Sequence, residues 1–184
     1  MFASPFAFAL LSLVLVHEPR RPQTPLLTPA GEPLLADQPP EGARPVDAEW
    51  PEGVTLVAAR ILTQPTRIPT EKTATVELDW EFSKKPPKGL GVFLHVEGPS
   101  GVFIAFDYAF LSGVLLLDDA PLHRLVRDVS EPVAVPWNGK PGTYDVHVGL
   151  FKARQTGERL KEIAGPGGRT AVDGRVYIGS FVAP

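Results

Sequence analysis

From residue 52 onward hydrophobic and polar residues alternate, and the period is two. Residues 141–160 are the clearest case: after a Pro-Gly turn, Tyr144, Val146, Val148 and Leu150 alternate with Thr143, Asp145, His147 and Gly149. That is the spacing of a strand buried on one face, here a central strand of an antiparallel sheet. Residues 73–82 repeat it, with Ala74, Val76, Leu78, Trp80 and Phe82 directed inward and Thr75, Glu77, Asp79 and Glu81 outward. Shorter runs at 54–63, 91–97, 102–106, 125–135 and 175–182 predict further strands, and residues 110–117 are apolar throughout.

Turn chemistry separates these runs. Residues 64–71 carry Pro65 and Pro69, residues 83–89 carry a Pro-Pro pair and a glycine, and Gly98-Pro-Ser-Gly101 closes a hairpin. Almost no segment shows the 3.6-residue period of a helix. Seven or eight short strands with turns between them predict an all-β fold, an immunoglobulin-like antiparallel β-sandwich over residues 52–184.

The N-terminal third follows other rules. Residues 2–16 are almost entirely apolar and hold no charge. That is the length of a signal-peptide core and short of the roughly 20 residues that span a bilayer comfortably. No Lys or Arg precedes the run and no small-x-small site follows it, so residues 1–17 read as a retained membrane anchor. A cleaved signal peptide and a partner-bound apolar tail are the alternatives. Residues 18–51 hold nine prolines, at 19, 22, 25, 29, 33, 39, 40, 45 and 51. Proline fixes its own φ and lacks an amide proton, so this stretch is expected to be an extended arm, free of helix and sheet. Its leucine pairs, Leu26 with Leu27 and Leu34 with Leu35, are more apolar than a solvated linker needs and are candidate partner contacts.

Composition narrows the function. A net charge of -3 with scattered Lys and Arg provides no basic field for nucleic acid. The chain has no cysteine, so it contains neither a disulfide nor a thiol nucleophile. No Gly-x-Ser-x-Gly elbow is present, and Gly165-Pro-Gly-Gly168 lacks the Lys-Ser/Thr of a phosphate loop. Among the histidines, His95 lies on the same strand face as Phe93, and His147 on that of Asp145. Were the His147 face to adjoin Glu77, Asp79 and Glu81, an acidic patch with one imidazole would result, and a solvated sheet face is the reading preferred. No spacing supplies the three or four converging ligands of a metal site. No enzyme activity, cofactor or metal is expected. For sugar stacking the candidates are Trp50, Trp137, Tyr108 and Tyr177, aromatic residues near loops, with Trp137 and Tyr108 put first.

Gly91-Val-Phe-Leu-His-Val-Glu-Gly-Pro-Ser-Gly101, Ala105-Phe-Asp107, Arg127-Asp128, Val135-Pro136 and Gly142-Thr-Tyr-Asp-Val-His-Val-Gly-Leu-Phe151 with Thr156-Gly-Glu-Arg-Leu160 resemble a bacterial β-sandwich module. That module occurs at the C-terminus of membrane glycosyltransferases and as stand-alone exported proteins. The resemblance covers residues 54–182 and implies an extracytoplasmic, periplasmic setting at a membrane, without established chemistry. It also implies that His95 pairs with Asp107 across a hairpin, as a structural contact. The chain departs from the module after Asp107, where residues 108–117 are strongly apolar instead of polar and rich in His and Pro. Tyr108, Phe110, Leu111 and Leu115 are therefore expected to form a greasy partner-binding loop. The resulting expectation is a non-catalytic accessory subunit, held at the lipid bilayer by its N-terminal segment. It docks on integral membrane proteins of a cell-envelope, respiratory or photosynthetic assembly. An extracytoplasmic carbohydrate-binding module is the alternative.

Overall fold

A computed structural model describes residues 34–69, 71–110, 120–130, 132–135, 140–152, 159–160, 170–171 and 174–184. These form strands β1 (Leu35–Ala36), β2 (Arg44–Trp50), β3 (Val54–Pro65), β4 (Lys72–Phe82), β5 (Leu90–Gly98) and β6 (Gly101–Ala109). They continue as β7 (Leu125–Val129), β8 (Val133–Val135), β9 (Gly142–Lys152), β10 (Thr170–Ala171) and β11 (Arg175–Ala183). All pairings are antiparallel. One sheet has the order β1-β7-β4-β3-β2, with β8 also on β4, and the other the order β10-β11-β9-β5-β6. Among the described residues no helix is long and apolar enough to cross a membrane. The expected anchor, residues 1–17, lies outside the described residues, as do Leu26 and Leu27 of the arm.

The fold is β-sandwich-like, with one core drawn from both sheets. Trp80, Phe82, Leu78 and Val76 of β4 bury against Val92, Leu94, Val146, Val148, Leu150 and Ile178 of the other sheet's strands. This is the set that the period-two pattern assigns to the interior. Trp50 and Trp80 have ring centroids 5.8 Å apart, and Phe110 completes the cluster edge-on to Trp80 at 5.0 Å.

Three expectations are corrected here. The first concerns the arm, whose C-terminal part belongs to the sandwich. Leu35 pairs with Val126, Arg127 donates its backbone N–H to the Leu34 carbonyl at 2.7 Å, and β2 runs along β3. Leu34, Val46, Ala48 and Trp50 are buried, while Leu35 is exposed. Prolines do not prevent this, because β2 is an edge strand and needs only one row of hydrogen bonds. Pro39, Pro40 and Pro51 lie outside the strands, and Pro45 sits beside a register shift. Phe110, expected on a partner-binding loop, is 2% exposed among Trp80 and Phe82. The third concerns β4, where Glu77 and Asp79 point away from the core as expected and yet are each 1% exposed.

Buried carboxylates require a counter-charge, and each has one. Arg60 of β3 donates Nε–H to Glu77 Oε2 at 2.8 Å, and Arg127 of β7 donates Nε–H to Asp79 Oδ1 at 2.8 Å. The six-stranded sheet is thus laced across β3, β4 and β7 by two ion pairs on its outer face. Burial pushes the Asp79 carboxyl above its ordinary range, and the Arg127 guanidinium opposes that shift.

Candidate functional site

The outer face of the five-stranded sheet carries the chain's densest group of polar and aromatic side chains among the described residues. Register fixes its layout. Tyr177 of β11 is paired with His147 of β9, His147 with His95 of β5, and His95 with Ala105 of β6. In the row on one side, Phe93 lies between Gly149 and Asp107, and in the row on the other, Glu97 is paired with Asp145. All these residues occupy the strand phase opposite to the core residues Val92, Leu94, Val146 and Val148.

Phe93 is 1% exposed although it faces outward. The far end of its ring packs against Gly149, where a Cβ would approach the Phe93 ring to 2.3 Å and the Gly174 carbonyl to 2.5 Å. On the ring stands the Arg159 guanidinium, 4.6 Å from the centroid. Arg159 reaches this place from a bridge to Phe151, just before Leu160 donates its N–H to the Leu150 carbonyl. The exposed guanidinium thus has the face of a buried ring as its cation–π partner.

His95, 7% exposed, lies next to that stack. Arg159 Nη2 is 3.4 Å from His95 Nε2, and Arg175 Nη1 is 3.3 Å from His95 Nδ1. Arg175 is in turn ion-paired with Glu97. Burial pushes the His95 pKa below its ordinary value, and Arg159 and Arg175 push the same way against Glu97 and Asp107. His147 is lowered too, first by burial, with Glu97 and Asp145 opposing and Arg175 adding. Both imidazoles are therefore neutral at neutral pH. His147 Nδ1 is buried and has no hydrogen-bond partner among the described residues. The His147 and Tyr177 rings meet edge to face at 5.6 Å, and Arg44, reaching round from β2, lies 5.4 Å from the Tyr177 centroid.

The expected His95–Asp107 pair is replaced by this arrangement. Asp107 stands opposite Phe93, is exposed, and acts on His95 as a charge, while both ring nitrogens face arginines. The acidic patch around His147 does not form either, because β9 and β4 belong to different sheets. Tyr108, a candidate for partner contact and for sugar stacking, lies on the inner face of β6, half-buried, with its hydroxyl in hydrogen-bonding reach of Asp128. Leu111, Leu115 and Trp137 lie outside the described residues. Sequence reasoning passed over Phe93, Arg159 and Arg175. The available signal was Phe93 itself, a large apolar residue in the outward phase of a strand whose neighbour carries a glycine.

Among the described residues no group of three His, Asp or Glu side chains could hold a metal ion. What the face carries is guanidinium donors over aromatic rings, a neutral imidazole pair and a tyrosine edge. No family model matches the chain, and no curated protein is similar to it at a significant level.

Proposed function

We propose that this chain is a non-catalytic accessory subunit of a membrane protein assembly, tethered by its apolar N-terminal stretch, whose immunoglobulin-like sandwich docks through the outer face of the five-stranded sheet. One observation carries the docking part: the exposed Arg159 and Arg44 lie over the Phe93 and Tyr177 rings, 4.6 Å and 5.4 Å from their centroids. Arginine and tyrosine dominate binding energy at protein interfaces. An arginine already ordered by stacking loses less rotamer freedom on binding than a free one, and the affinity gained is correspondingly larger. The immunoglobulin-like reading draws support from the strand orders β7-β4-β3 and β11-β9-β5-β6, which correspond to E-B-A and G-F-C-C′ of such domains. It also draws support from Tyr144, at the start of β9, which donates its hydroxyl to the Lys140 carbonyl at 2.7 Å in the manner of a tyrosine corner.

Affinity purification of the full-length protein from its native membranes in mild detergent tests the proposal. Integral membrane proteins should co-purify in stoichiometric amount, and Arg159→Glu with Tyr177→Ser should release them while leaving the sandwich folded. A protein that purifies alone, or whose partners stay bound to the double variant, would overturn the docking face. Continued membrane fractionation of a chain lacking residues 1–16 would overturn the tether.

A further inference from the structure

We infer that residues 34–43 are a strap that opens as a unit from the outer face of the six-stranded sheet while the sandwich stays folded, uncovering a group of buried charges; the inference does not rest on the docking reading. It begins with the path of the chain. β1 pairs with β7 at one edge of the sheet, and β2 pairs with β3 at the other. The Leu34 carbonyl accepts the Arg127 N–H, Arg127 is paired with Asp79, Asp79 with Ala58 and Ala58 with Pro45. Leu34 and Pro45 thus end the same row across the sheet, about 19 Å apart at the usual strand spacing. The inner face is filled by the core, so residues 37–43 cross the outer one. Arg60 marks the crossing, since its Nη1 donates to the Glu41 carbonyl at 3.1 Å.

Beneath the strap lie Glu77, Asp79 and Arg127, all buried, with the Arg60 guanidinium beside them. Glu77 Oε1 has no hydrogen-bond partner among the described residues. Covering such groups costs hydration, and opening returns it. What holds the strap down is slight by comparison. β1 has two residues, only Leu34 of the strap is buried, and the Asp37–Arg124 ion pair is exposed. The bond from the Ala43 N–H to the Pro40 carbonyl, with Gly42 at φ 78°, is internal to the strap and survives opening. Segments with so few buried apolar contacts open without global unfolding. Opening presents the two ion pairs to water and vacates the β7 edge at Leu125 and Val126, so the strap gates both. Because β1 is the first described strand, a pull from the N-terminal side loads it before any other described strand.

Hydrogen exchange of the full-length protein in detergent micelles, followed amide by amide by NMR, tests the strap. The reporter is the Arg127 N–H, whose acceptor is the Leu34 carbonyl. It should exchange at least about 100-fold faster than the slowest amides of β5 and β9. Leu34→Ser should raise the Arg127 rate by about tenfold or more and leave β5 and β9 unchanged. Closure is tested by Ala36→Cys with Leu125→Cys, register partners in a chain with no other cysteine. The oxidised form of that variant should exchange Arg127 about tenfold or more slowly than its reduced form. An Arg127 amide as slow as those of β5 and β9 would overturn the strap. So would a Leu34→Ser variant in which β5, β7 and β9 accelerate alike, or equal Arg127 rates in the oxidised and reduced forms.

Discussion

His95 contributes to the pH dependence of this fold's stability. In the unfolded chain its imidazole titrates near 6.5, and in the folded chain burial and two guanidinium neighbours hold it lower. His147, on the adjoining strand, is shifted the same way. Between the folded and unfolded values the unfolded chain binds more protons, so stability rises with pH through this window. It is fully present above about 6.5 and is lost as pH falls toward the folded values. Asp79 is shifted upward from 3.8, and its contribution has the opposite sign, at more acidic pH. Urea unfolding at pH 7.5 and at pH 6.0 isolates the histidines. The midpoint should fall on going to pH 6.0, and the fall should shrink in the double variant His95→Gln with His147→Gln. An unaltered protein with the same midpoint at both values would refute the assignment. Phe93 and Gly149 contribute to that burial on an outer face: the Phe93 ring, seated against Gly149, lies 5.2 Å from the His95 ring, centroid to centroid.

At the scale of elements, legibility followed the hydrogen-bonding role of each strand. β4 and β9 are central strands with one apolar phase, and alternation alone locates them. The 125–135 run is divided into β7 and β8, and Ser130 and Pro132 lie in the gap. There the Ser130 hydroxyl accepts the Val76 N–H at 2.9 Å, a side-chain substitution for ladder pairing that alternation does not encode. β1 and β2 were masked by prolines, which are compatible with edges but not with centres. The candidate site on the outer face was legible only in fragments, since His95 and His147 become neighbours through the sheet order and Arg159 arrives from an isolated bridge. Edge strand β2 also carries a device of its own. Its register shifts between Pro45 and Ala48, and Asp47 within the shift has φ of 52°. Bulges of this sort twist an edge away from edge-to-edge pairing. A β-branched side chain is strained in that left-handed conformation, whereas glycine adopts it freely. Asp47→Val should therefore cost about 1–2 kcal/mol in urea unfolding, and Asp47→Gly should cost less than about 0.5 kcal/mol. Equal losses in the two variants would show that the bulge does not depend on this φ.

For the whole molecule, the question is what fixes one sheet on the other beyond a shared apolar core, since apolar packing alone leaves sliding and rotation weakly specified. Tyr108 of β6 and Asp128 of β7 provide a polar contact between the sheets, one residue from each, both directed inward. Burial holds the Tyr108 hydroxyl well above its ordinary pKa, and the charge and hydrogen bond of Asp128 raise it further. The phenol thus remains a proton donor throughout the neutral range. Asp128 is 1% exposed, so loss of that donor leaves a buried carboxylate with one fewer partner. Such a loss typically costs about 1–3 kcal/mol, whereas an exposed hydroxyl removed from a sheet surface changes stability by under about 0.5 kcal/mol. Tyr108→Phe and Tyr177→Phe form the matched pair, both trimming a single oxygen from the five-stranded sheet, one from its inner and one from its outer face. Tyr108→Phe should lower the urea midpoint by an amount in the first range with an unchanged m-value, because the surface exposed on unfolding is the same. Tyr177→Phe should unfold with the unaltered protein. If the two variants unfold together, the sheets are held by apolar packing alone, and the Tyr108–Asp128 contact contributes nothing to their alignment.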